Sequence, residues 1–161
     1  MVIVLMGVAG SGKTTIGRQL AAELGWVFAD ADQFHPPANV AKMSAGQPLD
    51  DTDRAPWLAA IRTYIDRQLA EGHGAVVTCS ALKENYRTVL LGDPAQVKLV
   101  YLKGSREVLW SRISSRLGHF MKPAMLDSQL ATLEEPAQAL VVDIAQSPGQ
   151  ILAAIRRGLS L

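Results

Sequence analysis

The apolar run Val2-Ile3-Val4-Leu5-Met6 leads without a break into Gly7-Val8-Ala9-Gly10-Ser11-Gly12-Lys13-Thr14. This junction restricts the fold more than any other stretch of the chain. Five consecutive apolar residues read as a strand covered on both faces, and the GxxxxGK[ST] spacing that follows belongs between a strand and a helix. The helix is legible too: Ile16, Leu20 and Leu24 share one face, and Gly25 supplies the stop. Glycines let the backbone curl around phosphate oxygens, while the helix start offers unpaired amides and the positive end of its dipole. Lys13 reaches the outer phosphates and Thr14 offers a hydroxyl to magnesium. The segment therefore predicts binding of a nucleoside triphosphate with Mg2+.

The rest of the chain alternates short apolar runs with helical patterns. Strand candidates after the first lie at 26–29, 75–78, 97–102 and 140–142. Five such strands with helices between them imply a parallel sheet, hence an α/β fold: a three-layer α/β/α sandwich with a five-stranded parallel sheet. Trp57, Leu58, Ile61, Ile65 and Leu69 form an apolar stripe on a helix over about 53–71, with Pro56 in its first turn. Residues 33–51 carry three prolines, His35 and Lys42, with one short helix expected over 38–44. Residues 116–123 mix Gly118 with two rings and basic groups. Ligands in open α/β sheets gather beyond the carboxyl ends of the strands, which makes both segments candidates for substrate contact.

Phosphoryl transfer needs an electrostatic cradle, a metal and a group that orients the attacking oxygen. Asp30 and Asp32 alternate at the end of the second strand, so a continued extended backbone would point both carboxylates one way. One would hold magnesium through water and the other accept a hydroxyl proton; the alternative is a pair that caps the following turn. Asp143, after Leu140-Val141-Val142, resembles a strand-end metal aspartate, or else is a strand-end carboxylate that caps or faces solvent. Arg54 sits at a helix start, where a cation opposes the dipole. Either a ligand anion or the neighbouring aspartates occupy it. Lys83 and Arg87, spaced i and i+4, would share a helical face toward an anion or toward water. Arg112 and Arg116 are also four apart, and Arg116 opens the 116–123 stretch with His119, which reads as a lid or as a surface loop. Cys79 has no convincing partner and reads as a small buried apolar residue.

With 161 residues the chain suffices for one domain with a real core. A net charge of +1, without basic clusters, points to small-molecule partners rather than nucleic acid. A single cysteine excludes an internal disulfide framework. The sequence shows neither a secretory signal nor a run of membrane-spanning length, so a cytoplasmic protein is expected.

From Val4 to about Ile144 the chain resembles the gluconate kinases (gluconokinases) of the shikimate-kinase-like P-loop kinases. The likeness rests on LMGVAGSGKTT, FADADQFHP, NVAKMSAGQPLDDTDRAPWL, CSALKENYR, VYLKG, GHFMKPAMLDSQLATLEEP and LVVDI. It implies a nucleoside-monophosphate-kinase-like domain over 1–161, with a lid over about 116–123 and a substrate segment over about 33–54. The implied reaction is ATP-dependent phosphorylation of D-gluconate at its 6-hydroxyl. Residue by residue, Gly7, Ala9, Gly10, Ser11, Gly12, Lys13, Thr14 and Thr15 match the phosphate and magnesium loop. Asp30 falls to the metal, and Asp32 to the hydroxyl-orienting base. Arg54 matches a carboxylate-holding arginine, with His35, Lys83, Arg87 and His119 as further substrate contacts. Arg112 matches a residue near adenine, and Arg116 a lid arginine that joins Lys13 and Asp32 in catalysis. Relatives suggest a homodimer. The rivals are a kinase for a shikimate-like hydroxy acid or a nucleoside monophosphate, and a nucleotide-dependent switch. The last is disfavoured because no N/T-K-x-D guanine-reading sequence is present.

Overall fold

The computed structural model describes residues 1–115 and 122–161. Strands β1 (Val2–Met6), β2 (Val27–Asp30), β3 (Ala75–Thr78), β4 (Val97–Lys103) and β5 (Leu140–Asp143) form a parallel sheet in the order β2-β3-β1-β4-β5. In register, Val2 of β1 faces Ala75 on one side and Val97 on the other. β1 is thus the central strand, and each of its five residues is at most 1% exposed.

Alternation along β1 divides the core in two. Val2, Val4 and Met6 join Trp57, Leu58, Ile61 and Ile65 of α3 (Asp51–Ala70) and Leu90 of α4 (Glu84–Leu91). Ile3 and Leu5 join Ile16 and Leu20 of α1 (Lys13–Leu24), Leu109 and Ile113 of α5 (Arg106–Ser114), and Ile155 of α7 (Pro148–Leu159). These are the two helical layers of an α/β/α sandwich, as the unbroken apolar strands require. Each fully buried aliphatic side chain stabilises it by about 1.5–3 kcal/mol. Two shorter helices complete the site-bearing side, α2 (Pro37–Ser44) and α6 (Pro123–Thr132). Among the described residues, no helix is long and apolar enough to cross a membrane.

Two local expectations change. The long helix begins at Asp51, because Asp53 N–H donates to Asp50 Oδ1 (2.8 Å) while Asp53 Oδ2 accepts from Asp50 N–H (3.0 Å). Pro56 consequently lies in the second turn and leaves the Thr52 carbonyl without its helical donor. The backbone also turns after Asp30 into a single 3₁₀ turn, Ala31–Phe34, instead of staying extended.

Candidate active site

The strand order places the end of β1 at the switch point of the sheet, where the chain crosses from β3 on one side to β4 on the other. The loop after β1 closes over that point. Gly10 adopts φ 82°, and a Cβ there would lie 2.8 Å from the Leu109 carbonyl, so only glycine lets the loop settle on α5. Gly12, at φ 86°, starts α1 without any side-chain cap, which leaves the first amides of the helix to a ligand. Lys13 Nζ lies across the loop, donating to the carbonyls of Gly7 (2.9 Å) and Val8 (3.2 Å). The Ser11 hydroxyl is buried without a hydrogen-bond partner among the described residues.

Lys13 and Thr14 line a cavity of about 220 Å3 together with Asp30, Asp32, Thr78 and Gln129. The turn after β2 brings the two aspartates there by a different route from the one alternation suggests. Asp30 Oδ1 accepts from Asp32 N–H at 2.9 Å, so Asp30 caps the turn and still borders the phosphate loop. Asp32 borders the cavity with its own carboxylate. Loss of solvent around it, reinforced by the charge of Asp30, raises its pKa above the ordinary carboxylate value, against the opposing pull of His35 and Lys13. A carboxylate so placed holds a proton more readily than a free one.

A second cavity of about 560 Å3 opens beside the first and shares Asp32, Cys79, Ser80 and Gln129 with it. His35 stacks on Trp57 with ring centroids 4.5 Å apart and planes 9° from parallel. Trp57 Nε1 donates to the Ala31 carbonyl at 2.7 Å, locking the turn that carries Asp32. Asn39 Nδ2 lies 3.3 Å from His35 Nδ1 and also donates to the Asp53 carbonyl. Burial, more than the nearby Arg54 charge, lowers the His35 pKa despite Asp32, which favours a neutral ring.

Two cations flank one tyrosine in this cavity. Arg54 Nη1 donates to the Tyr86 hydroxyl at 3.2 Å, and its guanidinium carbon is 5.6 Å from the ring centroid. Lys83 Nζ is 5.7 Å from the same centroid. The Tyr86 hydroxyl in turn donates to Asp51 Oδ1 at 2.6 Å. Of the neighbouring aspartates, Asp53 pairs with Lys42 at 2.8 Å, and Asp51 serves Tyr86 and Lys83. Arg54 therefore lines the cavity, hydrogen-bonded to Tyr86, and its charge also helps hold the Asp51 carboxyl below the usual range.

Other expected residues sit elsewhere. Lys83 is the extended N-cap of α4 rather than part of it, so it shares no helical face with Arg87. Arg87 is 1% exposed and donates to the carbonyls of Ala81 (2.8 Å) and Glu134 (2.7 Å) and to Glu84 Oε2 (2.8 Å). It braces the turn after β3 and is turned away from the substrate cavity. Asp143 Oδ1 accepts from Ala145 N–H at 2.9 Å on the edge strand, capping its own turn outside the phosphate cavity. Cys79 is buried, and burial pushes its thiol up to about 12. Arg112 reaches from α5 to the Ile144 carbonyl at the end of β5, on the opposite side of the phosphate loop from the second cavity. Arg116 and His119 lie outside the described residues. Among the described residues, no three His, Cys, Asp or Glu side chains cluster to hold a metal.

Residues 9–147 match the shikimate kinase family model. The chain is 54% identical over 134 residues to a gluconokinase of Gluconobacter oxydans, covering 83% of this chain and 75% of that protein. The chain belongs to the gluconokinase family. Among solved structures, the fold superposes on a gluconokinase from Sinorhizobium meliloti with a TM-score of 0.86 at 45% identity, covering 99% of this chain and 91% of that one. A sugar kinase from a Janibacter species, solved without ligand, gives 0.88 at 46% identity, covering 99% and 94%. The segments that carry the gluconokinase likeness are the ones that build the second cavity: His35, Met43, Pro48 and Leu49, Arg54 and Trp57, and the stretch from Cys79 to Lys83 with Tyr86. Sequence reasoning left Trp57 as core and gave Tyr86 and Gln129 no role. The cation spacing around Tyr86 was the available signal for one, and Pro123 at a helix start, followed by Leu126 and Leu130, for the helix that carries the other.

Proposed function

We propose that this chain transfers the terminal phosphoryl group of ATP to the 6-hydroxyl of D-gluconate, releasing 6-phosphogluconate and ADP. The observation that carries this reading is that Asp32 borders both the phosphate cavity and the cavity with the paired cations. Arg54 and Lys83 hold the substrate carboxylate, with Tyr86 keeping the two cations in place. His35 and its Trp57 stack contact the polyol. Asp32 accepts the proton of the attacking hydroxyl, a role its raised pKa suits. Lys13 and the amides of Gly10, Gly12, Lys13, Thr14 and Thr15 hold the outer phosphates, with Arg112 on the nucleotide side; the Ala9 amide is taken by Gln129 Oε1 and that of Ser11 by the Val8 carbonyl. Thr14 and Asp30, on the wall of the phosphate cavity, are the side chains that fit Mg2+. The ion, when bound, neutralises charge on the outer phosphates. We further assign Arg116 and His119 to a lid over about 116–123 that excludes water, the competing nucleophile. A single-domain homodimer in the cytoplasm completes the reading, on the family resemblance.

The test is an ADP-release assay with gluconate, idonate, shikimate and nucleoside monophosphates as acceptors. Gluconate is expected to give the highest acceptor-dependent rate. Silence with gluconate while another acceptor works overturns the assignment.

A further inference from the structure

Gln129 connects the phosphate loop to a helix 120 residues away in sequence. Its Oε1 accepts from the Ala9 backbone N–H at 2.8 Å. The helix that carries it, α6, is anchored independently: Leu126 is fully buried in the core beside α5, and Arg106 of α5 grips Asp127 through two bonds of 2.6 and 3.2 Å. Gln129 is therefore held in place from both ends. It is also one of four residues, with Asp32, Cys79 and Ser80, that border the phosphate cavity and the substrate cavity at once. Of these, Asp32 is the carboxyl group, Cys79 a buried thiol and Ser80 a short hydroxyl. Gln129 is the long neutral side chain of the set. With its carbonyl oxygen committed to Ala9, the carboxamide retains two N–H donors for the border.

A transferred phosphoryl group carries its charge on oxygens that need donors wherever it pauses, and a neutral donor supplies them without a proton to lose. We propose that Gln129 is such a donor: Ala9 N–H orients the carboxamide, and its N–H groups hold the phosphoryl group at the border while the Asp32-activated hydroxyl attacks. The residue thereby favours transfer more than nucleotide binding.

This rests on the kinase reading above, and the experiment separates the two. Gln129→Met keeps length and helix propensity but removes the donors. Gln129→Glu keeps an oxygen for Ala9 N–H and also removes the donors. Both are assayed for kcat and KM with gluconate and ATP, for ADP affinity and for thermal midpoint. The expected result is a kcat about 10- to 100-fold lower in both variants, with ADP affinity of the Met variant within about threefold of wild type. If the bond to Ala9 serves only to tie α6 to the loop, Gln129→Glu restores turnover, and the proposal fails. It fails equally if Gln129→Met keeps kcat within about threefold, or loses ADP affinity in the same proportion as rate. A wild-type protein inactive on gluconate overturns the kinase reading instead, and is seen before any variant is made.

Discussion

Replacing Arg87 by methionine distinguishes a structural brace from a substrate contact. The side chain is 1% exposed, and its guanidinium serves the carbonyls of Ala81 and Glu134 at 2.8 and 2.7 Å. Its third partner, Glu84, is 69% exposed, so that ion pair adds little. Methionine preserves most of the stem but abandons both carbonyls: the buried Ala81 carbonyl loses its donor at about 1–3 kcal/mol, while that of Glu134, an exposed residue, is taken up by water. The expected destabilisation is about 1–3 kcal/mol, which for a chain of this size lowers the melting temperature by roughly 3–10 °C. Ala81 adds to this, because it holds a left-handed φ of 47° and Arg87 fixes its carbonyl. The assay is thermal unfolding by fluorescence, run beside steady-state kinetics well below the transition. A melting shift under about 2 °C, with the KM for the acceptor raised, would refute the reasoning and return Arg87 to the substrate site.

Lys13→Ala is expected to remove turnover, by about 1000-fold or more, with the melting temperature nearly unchanged; near-normal activity sinks the phosphate site. Asp32→Asn should lower kcat by about 100- to 10,000-fold while ATP affinity changes far less. Equal losses in both would strip Asp32 of the base role. The same variant tests the raised pKa. A carboxyl whose folded pKa is raised contributes stability below its unfolded pKa, and that contribution is lost as pH rises through the folded value. Asp32→Asn is therefore more stable than wild type at about pH 7, and the gap closes toward about pH 4. A gap that stays constant across that range contradicts the assigned shift.

The sheet was legible because its inner strands β1, β3 and β4 are buried on both faces and appear as unbroken apolar runs flanked by helical periodicity, and the edge strands β2 and β5 keep apolar runs although they expose Val27 and Val141. The phosphate loop was legible because its glycines answer local steric demands, as Gly10 against the Leu109 carbonyl illustrates. What escaped the sequence was set by tertiary partners. Arg87 and Lys83 look alike as cations four apart, yet one is drawn into the core by the Ala81 carbonyl and the distant carbonyl of Glu134, and the other is left outside as a helix cap. Asp30 and Asp32 look alike by alternation, and a single hydrogen bond after β2 makes one a cap and the other a free carboxylate. Gln129 was invisible for the same reason: its partner Ala9 is a backbone amide 120 positions away, and no side-chain pattern announces it.

Trp57 belongs to the apolar core, grips the Ala31 carbonyl beside Asp32, and provides the surface on which His35 lies. A single indole thus underwrites folding, the placement of Asp32 and the shape of the second cavity. Selection for a different sugar acid cannot alter this residue without putting all three at risk. Drift in acceptor preference should run instead through His35 and Met43, which line the same pocket outside the buried apolar core. Divergent members of the family would then keep the tryptophan as a fixed floor while the residues around it change the clientele.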